Sequence, residues 1–184
     1  MADIVRSFVT IKQMLGDRGM DTSNLDAISE DELITMANVN KIFVLKVTDS
    51  YKIVYYLNTK FKINDLVKKF EPNDNVLLVF KEKINNLNIR NLKDVDEVTI
   101  EIFMLKELQY NISHHHLVPK HEIMSDDEEV ERMLSMYQLK RNQLPIIQKS
   151  DPMARYLDVK SGQVLKITRN SPSAGEAVVY RYCV

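Results

Sequence analysis

The chain has 184 residues, 45% hydrophobic and 28% charged, an ordinary balance for a globular protein that argues against disorder and suffices for one large or two small domains. A net charge of −1 leaves no bulk attraction to nucleic acid, so any such contact must be a local patch or arise inside a larger assembly. The single cysteine, Cys183, excludes an internal disulfide and a cysteine-based zinc site and fits a reducing, intracellular compartment, and no apolar run reaches the ~18–20 residues of a membrane span.

The opening stretch MADIVRSFVTIKQML has no signal-peptide core. Ile4, Phe8, Ile11 and Leu15 recur at helical spacing and predict an amphipathic helix over residues 3–18, stopped at Gly19. Ser29 and Glu32 form a capping box that starts a second helix running to about Asn38. KIFVLKV and YKIVYYL, joined by Thr48-Asp49-Ser50, read as a β-hairpin. Residues 63–70 read as a helix ending before Pro72. NVLLVF (75–80) is a buried-strand run. In VTIEIFM (98–104), Val98, Ile100, Ile102 and Met104 alternate against Thr99, Glu101 and Phe103 as in a strand.

A change of texture follows near residues 107–112. Ser125-Asp126-Asp127-Glu128 reads as a capping box, followed by a helix whose buried face is Val130, Met133, Leu134 and Tyr137. QVLKITR (163–169) and AVVYRYCV (177–184) read as strands joined by the loop NSPSAG. The expected fold class is α+β, with an N-terminal α/β domain over residues 1–106 and a small C-terminal α+β domain with a short mixed sheet over 107–184.

Chemistry-bearing patterns are few. His114, His115, His116 and His121 hold every histidine of the chain, but adjacent histidines point different ways on a strand and His121 lies across a proline, which is poor spacing for zinc. Cys183, near the end of a strand, reads as a buried structural thiol. The chain has neither a nucleophile elbow nor a phosphate-cradling glycine loop, and only four glycines. Asp158-Val159-Lys160 faintly resembles a nuclease carboxylate–lysine pair but has no partner carboxylate in view. Arg155, Arg169 and Arg181 read either as a solvated sheet face or as forks for carboxylate and phosphate docking, and the pattern leaves both open.

One resemblance covers the last 74 residues or so. The stretches NISHHHLVPKH, LPIIQKSDPMARYLDVKSGQVLKITRNSPSAG and VVYRY, in that order, resemble the fifth subunit common to eukaryotic nuclear RNA polymerases and its smaller counterpart in archaeal RNA polymerase. In that pattern His115 and His121 occupy the family's histidine positions, and His114 and His116 stand where it varies, so the resemblance implies no metal and no cofactor. The N-terminal half matches more thinly, at Arg6, Met14-Leu15, Asp17-Arg18-Gly19 and Glu101, Phe103, Glu107 and Leu108.

The resemblance implies a subunit without catalysis of its own. Its C-terminal domain docks on the largest polymerase subunit among the other subunits, and its N-terminal domain forms a jaw near the downstream DNA duplex. The implied assembly residues are His115, Pro119, His121, Asp151, Pro152, Arg155, Tyr156, Arg169 and Arg181. Lys12, Arg18 and Lys41 are the candidate DNA-proximal cations, each with the alternative of an ordinary solvated side chain. The divergent middle, with a composition rich in Asn, Lys and Ile, suits a large DNA virus or a divergent protist. The implied location is the nucleus if cellular, or the virus factory or virion if viral. The competing class, a stand-alone nuclease or metal-dependent enzyme, would carry stoichiometric zinc.

Overall fold

The computed structural model describes residues 1–58, 66, 70–93, 98–171 and 175–184. The chain divides into two compact units, Met1–Tyr110 and Asn111–Val184.

The N-terminal unit begins with α1 (Ala2–Asp17), whose Ile4, Phe8, Ile11, Met14 and Leu15 are buried. It ends in a Schellman turn: Met20 N–H donates to Leu15 O at 3.0 Å and Gly19 N–H to Gly16 O at 2.9 Å, with Gly19 left-handed at φ 77°. The short α2 (Ser23–Asp26) precedes α3 (Glu30–Val39), which carries the expected capping box: Ser29 Oγ accepts from Glu32 N–H and Glu32 accepts from Ser29 N–H. The hairpin of β1 (Ile42–Lys46) and β2 (Tyr51–Tyr56) then leads to β3 (Asn75–Phe80), α4 (Asn86–Lys93) and β4 (Thr99–Met104).

The sheet order is β1-β2-β3-β4. β1 is antiparallel to β2, and β2, β3 and β4 are parallel. Every residue of β2, and all of β3 after Asn75, is buried, which is why these strands are apolar runs without clean alternation. One face packs Val54, Tyr56, Val76, Leu78 and Phe80 against Leu66, Ile84 and Leu92, with Val98, Ile100, Ile102 and Met104 leaning on that core. α1 reaches the opposite face, where Ser7 Oγ and Tyr55 Oη lie 3.1 Å apart and the Tyr55 ring stacks on Phe43 at 4.8 Å. On the other side of β4 Phe103 is buried, Glu101 partly buried and Thr99 exposed. The helix expected over 63–70 falls largely outside the described residues. α4 was not foreseen.

The C-terminal unit holds β5 (Lys120–Met124), α5 (Asp127–Tyr137), β6 (Ile146–Ile147), α6 (Pro152–Tyr156), β7 (Val164–Ser171) and β8 (Gly175–Cys183). The sheet order is β5-β7-β8-β6, antiparallel except that β6 runs parallel to β8. The molecule is α+β, with a short mixed sheet in this unit. α5 covers one sheet face with Val130, Met133 and Leu134 on Met124, Leu144 and Val164. α6 and its following turn cover the other, with Ala154 and Val159 on Ile147, Leu165, Ile167 and Cys183.

Three expectations need correction here. The N-cap of α5 is Asp126, whose Oδ1 accepts from Glu128 N–H at 2.9 Å, not Ser125; the helix starts one residue later, where the charged cap also meets the helix dipole. Tyr137 is 55% exposed, its ring resting on Tyr180 instead of entering the core. Asn170, Ser171 and Gly175 belong to β7 and β8, not to a loop; residues 172–174 lie outside the described set. β5 lies where the sequence showed only irregular texture.

Candidate assembly face

The register of the C-terminal sheet places side chains on two faces. His121 pairs with Ile167, which pairs with Val179; one step along, Arg169 pairs with Ala177, and on the other side Leu165 pairs with Arg181. Residues two apart share a face, so His121, Arg169 and Arg181 lie on one side of the sheet, around Ile167. This is the side on which α6 packs.

α6 is specified by its first two residues. Asp151 Oδ1 accepts from Met153 N–H at 2.9 Å and Ala154 N–H at 3.4 Å, and Pro152 fills the first helical position, where no N–H is needed. Tyr156 is buried, and its Oη lies 3.4 Å from Ser113 Oγ. Ser113 in turn donates from N and Oγ to Asn111 Oδ1 at 2.9 and 2.7 Å. Asp151, Pro152 and Tyr156 thus build the support of this face, with Arg155 half-buried on the same helix.

His114 ends a 3-10 turn of helix, His115 and His116 follow it in a turn, and His121 lies in β5. His115 is exposed; its Nδ1 accepts from Leu117 N–H at 3.2 Å, which puts the hydrogen of the neutral ring on Nε2. His121 has the opposite tautomer: its Nδ1 is 2.7 Å from Pro119 O, and since a carbonyl only accepts, Nδ1 carries the hydrogen. The His115 and His116 rings stack at 4.6 Å. Among the described residues no three His, Cys, Asp or Glu side chains are grouped to hold a metal ion. Asp158 and Lys160 pair at 2.6 Å within one turn, a self-contained surface ion pair. Cys183 is fully buried, and burial pushes its thiol above the ordinary range, away from the reactive thiolate.

The N-terminal candidates are dispersed. Lys41 is exposed, and Lys12 pairs with Asp26. Arg18 is spent inside the unit: its guanidinium grips Glu101 with two N–H groups at 3.0 and 2.8 Å and donates to Tyr51 Oη at 3.3 Å, and its side chain is 6% exposed. Sequence reading missed a buried ion pair, Lys52 Nζ to Asp74 Oδ2 at 2.8 Å, with Glu71 Oε2 3.2 Å from the same amine. The hydrogen bond from Lys52 to Asp74 raises the Lys52 amine, which stays charged and is no nucleophile.

Set beside known proteins, residues 110–183 match the family described as "RNA polymerase Rpb5, C-terminal domain". The chain is 32% identical over 186 aligned positions to "DNA-directed RNA polymerases I, II, and III subunit rpabc1" of Dictyostelium discoideum, covering 95% of this chain and 94% of that protein. The RPABC1 subunits of Caenorhabditis briggsae and Caenorhabditis elegans are each 47% identical over 85 residues, 46% of this chain and 40% of theirs. Matched over almost its whole length by one relative, and over its C-terminal unit by a domain family, this chain belongs to the family of the fifth subunit shared by the eukaryotic RNA polymerases.

Proposed function

We propose that the protein is a non-catalytic subunit of a multisubunit DNA-directed RNA polymerase, with its C-terminal unit docked on the largest subunit and its N-terminal unit acting as a jaw beside downstream DNA. The observation that carries the assembly reading is the common face: three of the motif side chains, His121, Arg169 and Arg181, stand on one side of the sheet, and three more, Asp151, Pro152 and Tyr156, form the helix packed there. Arg169 and Arg181 stand exposed on that side and His121 is half-buried there, which gives arginine forks for docking at a polar interface. The DNA reading is supported by family membership and by the exposed Lys41 and partly exposed Lys12, with Arg18 removed from the set by its bond to Glu101. The division at Tyr110 suggests the test. A fragment of residues 111–184 is expected to co-purify with the largest subunit as the full chain does. Binding confined to fragments containing residues 1–110 would reverse the assigned roles.

A further inference from the structure

Among the described residues, no strand pairs with the outer side, or lane, of most of β8, the longest strand of the C-terminal sheet. β8 begins at Gly175, yet β6 pairs with it only at Tyr182 and Cys183. The bonds at that end establish how β8 is oriented. Tyr182 N–H donates to Pro145 O at 2.9 Å and Val184 N–H to Ile147 O at 3.0 Å, whereas Cys183 N–H, between them, turns to Gln163 O on the β7 side at 2.9 Å. In an antiparallel pair, alternate residues direct both backbone groups to the same side. Glu176, Val178 and Tyr180 therefore point their N–H and C=O groups into the lane, and among the described residues no backbone group bonds to them from that side.

The opposite edge differs. β5 is preceded by Pro119 and opens with Lys120, which pairs with Glu122 at 2.7 Å; proline and charge are the usual guards of an edge against a further strand. The β8 lane has no proline from Gly175 to Tyr180, its one charged residue there, Glu176, stands at the start, and Val178 in its middle is 42% exposed.

The side chains along the lane specify what fits. On one face, Val178 and Tyr180 form an apolar wall extended by Tyr137, whose ring lies 6.2 Å from that of Tyr180. On the other, Arg181 closes the lane, giving one N–H to Ile146 O at 3.1 Å, and Arg169 stands exposed opposite Ala177. The two exposed guanidinium groups on this face, Arg169 and Arg181, favour a carboxylate. We propose that the Glu176–Tyr180 edge of β8 receives an extended segment of the largest subunit as an added strand, its apolar side chains on Val178, Tyr180 and Tyr137 and an acidic one toward Arg181 and Arg169. Backbone pairing supplies the grip and the alternating side chains the register. This inference rests on the assembly reading and adds to it the manner of attachment.

The test uses the full chain co-expressed with the largest subunit. In the complex, the amides of Glu176, Val178 and Tyr180 are expected to exchange at least tenfold more slowly than in the free chain, an effect that side-chain docking alone does not produce. Val178→Pro removes an outward N–H without touching a bond to β7, so it is expected to keep the free chain's circular dichroism and to lose co-purification at least tenfold. Unchanged exchange of those amides in the complex, or full co-purification of a folded Val178→Pro chain, would overturn the added strand while leaving the assembly reading intact. If that variant does not fold, the exchange measurement decides alone. Protection of the same amides in the free chain through a dimer would assign the lane to a second copy and overturn the proposal. No complex with the unaltered chain would overturn the assembly reading and this inference together.

Discussion

Lys52 and Asp74 are each 3% exposed, and each would be strongly unfavourable without the other. Burial alone pushes the Asp74 carboxyl up, but the Lys52 hydrogen bond, the Glu71 N–H and the nearby lysine charges together hold it below its ordinary value. A carboxyl lowered in the folded state stabilises above the unfolded value of about 3.9, and that contribution is lost as pH falls through the folded value. The N-terminal unit is therefore expected to lose stability below about pH 4, and Asp74→Asn to remove that acid sensitivity. The same change leaves a buried ammonium unpaired and is expected to cost about 3–5 kcal/mol in denaturant melts. A loss under about 1 kcal/mol would show that the pair opens to water. Neither this pair nor the one made by Arg18 shows in any local pattern of the sequence. The partner of Arg18, Glu101, is 83 positions away, so nothing local distinguishes this arginine from a surface cation.

Elements with strong local grammar were readable. α1 announced itself by its apolar spacing and Gly19, α3 by Ser29 and Glu32, and β3 by an unbroken apolar run. α4 was hidden because three of its eight residues are asparagine, a poor helix former, and because Ile89 and Leu92 supply most of its contact with the core. β5 was hidden because Lys120, His121 and Glu122 fill most of a five-residue strand. The start of α6 is legible in the sequence, since Asp151-Pro152 is an N-cap followed by a first-turn proline, but five residues carry too little apolar spacing to mark the helix itself. Two helix ends allow a direct check. Gln138 holds the left-handed position after α5 at φ 54°, where Leu139 N–H reaches Leu134 O at 2.9 Å. Gln138→Gly is expected to stabilise the C-terminal unit by about 1 kcal/mol in denaturant melts, since glycine has no Cβ to crowd the backbone there. Asp126→Ala is expected to weaken the same unit by about 1 kcal/mol and Ser125→Ala to leave it nearly unchanged. Equal effects of the two alanines would refute the placement of the cap.

Charge decides what the whole molecule does on its own. Residues 1–110 carry 15 basic and 17 acidic side chains, so the proposed jaw has no excess of cations with which to displace counterions from a duplex. The free protein is expected to bind duplex DNA more weakly than about 1 μM at physiological salt and without sequence preference, as titration with labelled duplexes would measure. Inside an assembled elongation complex the large subunits would hold DNA in place, and one or two phosphate contacts become useful through effective concentration. Crosslinks from downstream phosphates are then expected within residues 1–110, near Lys12 and Lys41. Crosslinks confined to 111–184, or tight sequence-selective binding by the free chain, would contradict the jaw assignment.

The solitary thiol also gives the protein an internal clock. Cys183 is fully shielded and sits in the strand that joins β6 to β7, so a maleimide or disulfide reagent reaches it only when that sheet parts. With no second cysteine in the chain to confuse the signal, the rate of labelling under native conditions counts openings of the C-terminal unit and of nothing else. Slower labelling after incorporation into a polymerase would then report, in seconds or hours, how firmly the assembly keeps that sheet shut.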